Sequence, residues 1–257
     1  MSMPQFRHSE FIETPLINLV RDVVSDSNNI SNGIEFYGIC GYVLHSLFLR
    51  LTGAQEQKLK CICWDLATED YEYRYSRYNK WELGECSRLK DKSAVFSDLV
   101  DAVRSVKTTY SVFGSSPANK LAFVKDTFDS IKSIFDNSNI VQCYPTEYET
   151  YLDIIAHFNP KNIEAGNQLF NCTDNLTLET MTDETMFAAT YILLYKHRNR
   201  CAHNTLSYQN NMPSFQELNN EKVQRYYNVF LFISILIFID NLFMQVYRKY
   251  RSVLSRF

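Results

Sequence analysis

Val229-Phe-Leu-Phe-Ile-Ser-Ile-Leu-Ile-Phe-Ile239 is apolar on every face of a helix except for the small hydroxyl of Ser234. A helix without a polar stripe is either buried in a core or crosses a membrane. A span needs about 20 apolar residues, and here Asp240-Asn241 breaks the run after 11. The segment therefore reads as the central helix of a soluble bundle and part of a dimer interface, inside a last element running from Asn219 to about Ser255. No membrane is expected. The basic end, Arg248-Lys249-Tyr250-Arg251, reads as a solvated C-terminal face.

Composition points the same way. Seven Gly and six Pro among 257 residues are too few for the tight turns of a β-sandwich or barrel, which favours an all-α bundle. A hydrophobic content of 46% with 18 Phe and 17 Tyr excludes a disordered chain. The net charge of -3 argues against a broadly basic surface that wraps duplex nucleic acid. A compact basic site remains compatible with it. Seven cysteines follow a polar start containing Arg7, Glu10 and Glu13, which reads as no secretory signal, free thiols and a cytoplasmic setting. Phosphate-loop, dinucleotide-glycine, HExxH and serine-hydrolase patterns do not occur.

Working back from the core helix, apolar spacing predicts helices over 9–26, 34–51, 55–78, 93–111, 117–136, 146–158, 161–170 and 178–202. Loops are expected at 26–33 and 137–145, with Val141 to Tyr144 extended. Tyr71 to Tyr78 alternates aromatic and charged residues and suits a strand equally well. Its arginines are placed to grip unpaired bases, although a half-buried amphipathic element is the commoner use. Gly38 and Gly41 share one side of their helix, where close helix packing is the expected reason. His45, alone on an apolar stretch, reads as a core histidine. Cys61-x-Cys63 with Cys86 lacks the partners of a zinc site, so no metal and no cofactor are expected.

The chemistry concentrates in Tyr195-Lys-His-Arg-Asn-Arg-Cys-Ala-His-Asn204. Three permanent cations and two histidines stand there without an acid, a combination that attracts phosphate and can move protons near neutral pH. Asn199 and His203 are four apart and share a helix face, so the amide can orient the imidazole. Arg198 and His203 are five apart, about 140° round an ideal helix, so the two are not simply stacked. The plainer alternative is that Lys196, Arg198 and Arg200 only complement the helix dipole, with His203 as a C-terminal cap. His197 reads as a dimer or surface residue.

Arg198-Asn199-x-x-x-His203, with Ala202 and Asn204 as flanks, resembles the Arg-x(4–6)-His signature of the HEPN superfamily. The resemblance covers residues 180 to 250. It implies an all-α fold, a homodimer whose two motifs meet in one composite cleft, and metal-independent RNA cleavage in toxin or phage-defence systems. It implies His203 as general acid or base, Arg198 as the group that stabilises the phosphate, and Asn199 in support. Arg200, Lys196 and Asn204 would bind substrate. A neutralising or activating protein partner is compatible with such systems. Residues 176–257 would form the HEPN-like core and 1–175 a helical scaffold or recognition region, as two units or as one continuous domain. The alternative within the same family is a catalytically inactive module that binds nucleotide, RNA or a partner.

Overall fold

The computed structural model describes residues 8–30, 34–80, 86–114, 116–136, 138–158, 169–170, 185–202 and 219–255. Among them the chain is all helical, with eleven helices and no strand. In order these are α1 (Ser9–Glu13), α2 (Ile17–Asn28), α3 (Ile34–Glu69), α4 (Tyr71–Lys80), α5 (Leu89–Val106), α6 (Pro117–Phe135), α7 (Asn139–Cys143), α8 (Pro145–Ala156), α9 (Met186–Ala202), α10 (Glu221–Tyr226) and α11 (Val229–Leu254).

The apolar run opens α11 and lies at the centre of the molecule. Every residue from Phe230 to Asp240 is buried, and α1, α3, α5, α6, α8 and α9 pack around this helix. It is the described helix long and apolar enough to cross a membrane, yet 83% of its most apolar window is covered by the protein itself. Burying each large apolar side chain is worth about 1.5–3 kcal/mol, so this one helix supplies much of the driving force for folding. Phe230 meets Phe135 edge-on at 5.1 Å, and Phe238 meets Phe123 edge-on at 5.5 Å. The last element is not continuous from Asn219. It breaks at Tyr227-Asn228, where the Asn228 side chain accepts the N–H groups of Phe230 and Leu231 at 3.0 and 3.2 Å and so caps α11.

Asp240 is the charged residue that ends the run, and it too is buried. Lys58 of α3 lies 2.7 Å from one carboxylate oxygen, and the Leu16 N–H donates to the other at 2.8 Å. Lys58 also donates to the Thr14 carbonyl. One ion pair thereby fastens α11 to α3 and to the joint between α1 and α2. That joint, at Thr14-Pro15, splits the helix expected over 9–26.

Other boundaries differ from the sequence expectation for local reasons. Residues 34–69 form one helix instead of two, because Gly53 faces solvent while Leu51, Leu59 and Ile62 continue the buried stripe across it. The Tyr71 to Tyr78 segment lies within helix α4. Arg77 pairs with Asp98 of α5, with Nε at 2.9 Å, so it is engaged within the protein. Residues 139–143, expected as a break with an extended Val141, form the short helix α7. Ser138 caps it by accepting the Val141 N–H at 3.3 Å. Of the helix expected over 161–170 only Leu169 and Phe170 are described, as a buried bend, and the start of the one expected from 178 lies outside the described residues.

Candidate functional site

Helix α9 carries the cationic segment in its last two turns. Its first half, Met186 to Tyr191 with Leu193 and Leu194, is buried. The helical period then divides the segment between two environments.

Arg198 lies on the side that also carries Tyr191 and Tyr195. Its guanidinium contacts Glu56 of α3 at 3.3 Å and the Asn199 side-chain oxygen at 3.3 Å. Beneath this pair sits Lys92 of α5, 1% exposed, with its ammonium 5.9 Å from the Tyr191 ring centre. Burial pushes the Lys92 pKa down to about 8, while Glu56 partly restores it. Asn199 also hydrogen-bonds the Tyr195 hydroxyl, which, ahead of a smaller effect from Arg88, holds that phenol below its ordinary value. Lys196 is exposed. His203 and Asn204 lie outside the described residues.

The second environment is an open cleft of about 550 Å³ lined by Tyr42, His45, Ser46, Leu49, His197, Arg200, Cys201 and Tyr227. Arg200 lies over the Tyr227 ring, 4.9 Å from its centre, and donates to the Tyr227 hydroxyl. The His197 Nδ1 shares a hydrogen bond with that same hydroxyl, while its Nε2 lies 3.6 Å from the Cys201 sulfur. The ring packs against Phe48 at 5.0 Å and Phe232 at 5.6 Å. Burial, with smaller contributions from His45 and Arg200, pushes the His197 pKa down to about 3. This imidazole is therefore neutral at physiological pH.

Two expectations are corrected here. His197 is not a surface residue, because the α9 period turns it under Phe48 and leaves it 8% exposed at the wall of the cleft. His45 is not a core residue: Leu44, Leu47 and Phe48 take the buried stripe of α3, leaving His45 exposed at the cleft rim, 5.3 Å from the His197 ring. The same residues of α9 carry a second pattern. His197 and Cys201 are four apart on one helix face, and α3 brings His45 to them. The donor atoms of all three lie within 4.8 Å of one another. The i, i+4 spacing was visible in the sequence, whereas the third member, 152 positions before His197 in the chain, was not. Cys63 and Cys86, by contrast, hydrogen-bond each other as buried thiols.

Comparison with family profiles, with functionally described proteins and with solved structures gives no significant match.

Proposed function

We propose that this protein is a metal-independent endoribonuclease of the HEPN type, acting as a homodimer through Arg198 and His203. The observation that carries the reading is the preorientation of the Arg198 guanidinium in the last turns of α9 by the Asn199 side chain, 3.3 Å away. Cations fixed before a phosphate arrives stabilise developing charge without reorganising. Their position also offsets the negative end of the helix dipole, which would otherwise repel an anion. The all-α fold and the packing of α9 against the apolar α11 are compatible with the resemblance.

In the proposed reaction the ribose 2'-hydroxyl gives its proton to His203 and bonds to phosphorus. The bond from phosphorus to the 5'-oxygen breaks, and a protonated copy of His203 in the second subunit protonates that leaving oxygen. Arg198 takes the charge building on the non-bridging oxygens. The products are a 2',3'-cyclic phosphate and a 5'-hydroxyl. Toxin or phage-defence action is the corresponding biological setting.

The experiment is cleavage of labelled RNA in excess chelator by the wild type, His203→Ala and Arg198→Ala, with end-group analysis. Cyclic-phosphate ends and loss of cutting in both variants are the expected result. Cutting that survives both substitutions would reject the assignment.

One observation favours a second reading. Glu56 already occupies Arg198, as it would in a module that binds RNA or a partner without cleaving it. Binding that weakens in Arg198→Ala while no RNA is ever cut would select that reading.

A further inference from the structure

We infer that His45, His197 and Cys201 form a binding site for one divalent transition-metal ion of the zinc class, with its fourth coordination position open to the cleft. The inference concerns a different side of α9 from the one carrying Arg198, and it does not depend on the ribonuclease reading.

The donor spacing supports it first. Tetrahedral zinc with bonds of about 2.1 Å to nitrogen and about 2.3 Å to sulfur sets neighbouring nitrogen and sulfur donors about 3.6 Å apart. Cys201 Sγ and His197 Nε2 lie 3.6 Å apart. Both come from one face of α9, where a four-residue spacing places two ligands side by side. His45 arrives from α3, its donor atom within 4.8 Å of the other two. Its exposure leaves the ring free to complete the set by rotating about its side-chain bonds.

The surroundings of His197 fit the same role. A metal-bound histidine commonly directs its second ring nitrogen to a fixed partner, which sets the tautomer and the ring orientation. Here that partner is the Tyr227 hydroxyl, itself engaged by Arg200. When Nδ1 carries the proton and donates it to Tyr227, the Nε2 lone pair faces Cys201 and His45. On binding, the Cys201 S–H proton leaves to solvent as the sulfur–metal bond forms.

The donor set selects the ion. Two imidazoles and a thiolate suit zinc, cobalt or copper, and disfavour magnesium and calcium, which take oxygen ligands. Three protein ligands with an open fourth position are the arrangement of zinc sites that hold an exchangeable water or anion. Arg200, on the cleft wall, adds a cation suited to an anionic fourth ligand.

The test uses the full chain, stripped with chelator and then titrated with Co²⁺. Expected are one equivalent bound, a visible ligand-field spectrum, and a near-ultraviolet thiolate-to-cobalt charge-transfer band that disappears on adding Zn²⁺. Cys201→Ser should abolish the charge-transfer band. His45→Ala, at an exposed position that leaves the core intact, should weaken Zn²⁺ binding at least tenfold, with an unchanged helical circular-dichroism spectrum as the check on folding. A wild type without the charge-transfer band, or equal Zn²⁺ affinity in the wild type and both variants, would overturn the proposal.

Discussion

The Arg198 guanidinium lies 3.3 Å from the Glu56 carboxylate, which α3 delivers from 142 positions earlier in the chain. A carboxylate in that place competes with any phosphate for the same cation. Under the proposed function, Glu56→Gln should therefore tighten binding of a non-cleavable RNA by roughly three- to tenfold, equivalent to about 1 kcal/mol. The gain should vanish in an Arg198→Ala background. Fluorescence anisotropy at fixed salt checks both statements, and an unchanged affinity in Glu56→Gln would remove Arg198 from the phosphate site.

Glu56 also lies near Lys92, and this gives a pH signature. The folded-state pKa of Lys92, about 8, stands below its ordinary 10.5, chiefly through burial. Glu56, Cys86 and Asp91 pull it back up, and Arg198 pushes it further down. Between those two values the unfolded chain holds a proton that the folded chain has lost, so the Lys92 contribution to stability grows as pH rises through the window. The thiols of Cys40, Cys61 and Cys63, raised above their ordinary value, act in the opposite direction. The informative quantity is therefore the stability of the wild type minus that of Lys92→Met. It should increase by about 2 kcal/mol between about pH 8 and about pH 10, measured by urea unfolding under reducing conditions. A difference that stays flat would mean that Lys92 is not desolvated in solution.

The parts of this fold that were legible in the sequence are those set by neighbours along the chain. The apolar run of α11 could be assigned to the core because no face of it is polar. Asp240 was visible only as the end of that run; its partner Lys58 is 182 positions away, and no local pattern announces the pair. The same limit governed the site. Three cations in α9 could be read directly, but not the division of Arg198 and Arg200 between Glu56 on one side and Tyr227 on the other. His45 reads as a core residue because Val43, Leu44, Leu47 and Phe48 surround it in the chain, while the rotation of α3 that exposes it is decided by what packs on Leu44 and Phe48.

Gly53 shows that limit in a single helix, since it lies in the gap between the helices expected over 34–51 and 55–78, which the structure joins. An added Cβ at Gly38 or Gly53 would meet nothing within 4 Å, whereas at Gly41 it would lie 3.0 Å from the Tyr144 hydroxyl. Close helix approach therefore explains Gly41 and not Gly38. Replacing an exposed mid-helix glycine with alanine stabilises by about 0.5–1 kcal/mol. Gly38→Ala and Gly53→Ala should each raise the unfolding midpoint, and Gly41→Ala should gain less because the Tyr144 ring must shift. Thermal unfolding of the three variants decides the order; an equal gain at Gly41 would show that Tyr144 yields freely.

Lys58 and Asp240 are 4% and 2% exposed, so neither charge has water to fall back on if its partner is lost. Burial pushes the Lys58 pKa down and the Asp240 pKa up, and each charge partly reverses the shift of the other. Removing one member of such a pair strands the other and costs about 3–5 kcal/mol. Lys58→Met and Asp240→Asn should each fall in that range. The asparagine retains an oxygen to accept the Leu16 N–H, so the double variant loses the ion pair without orphaning that amide. It should recover at least about 2 kcal/mol of the summed single losses, because neither buried charge then remains. A double-mutant cycle by urea denaturation measures this directly. Additive losses would mean that the two charges do not act as a pair, and that α11 is held to α3 by its apolar face alone.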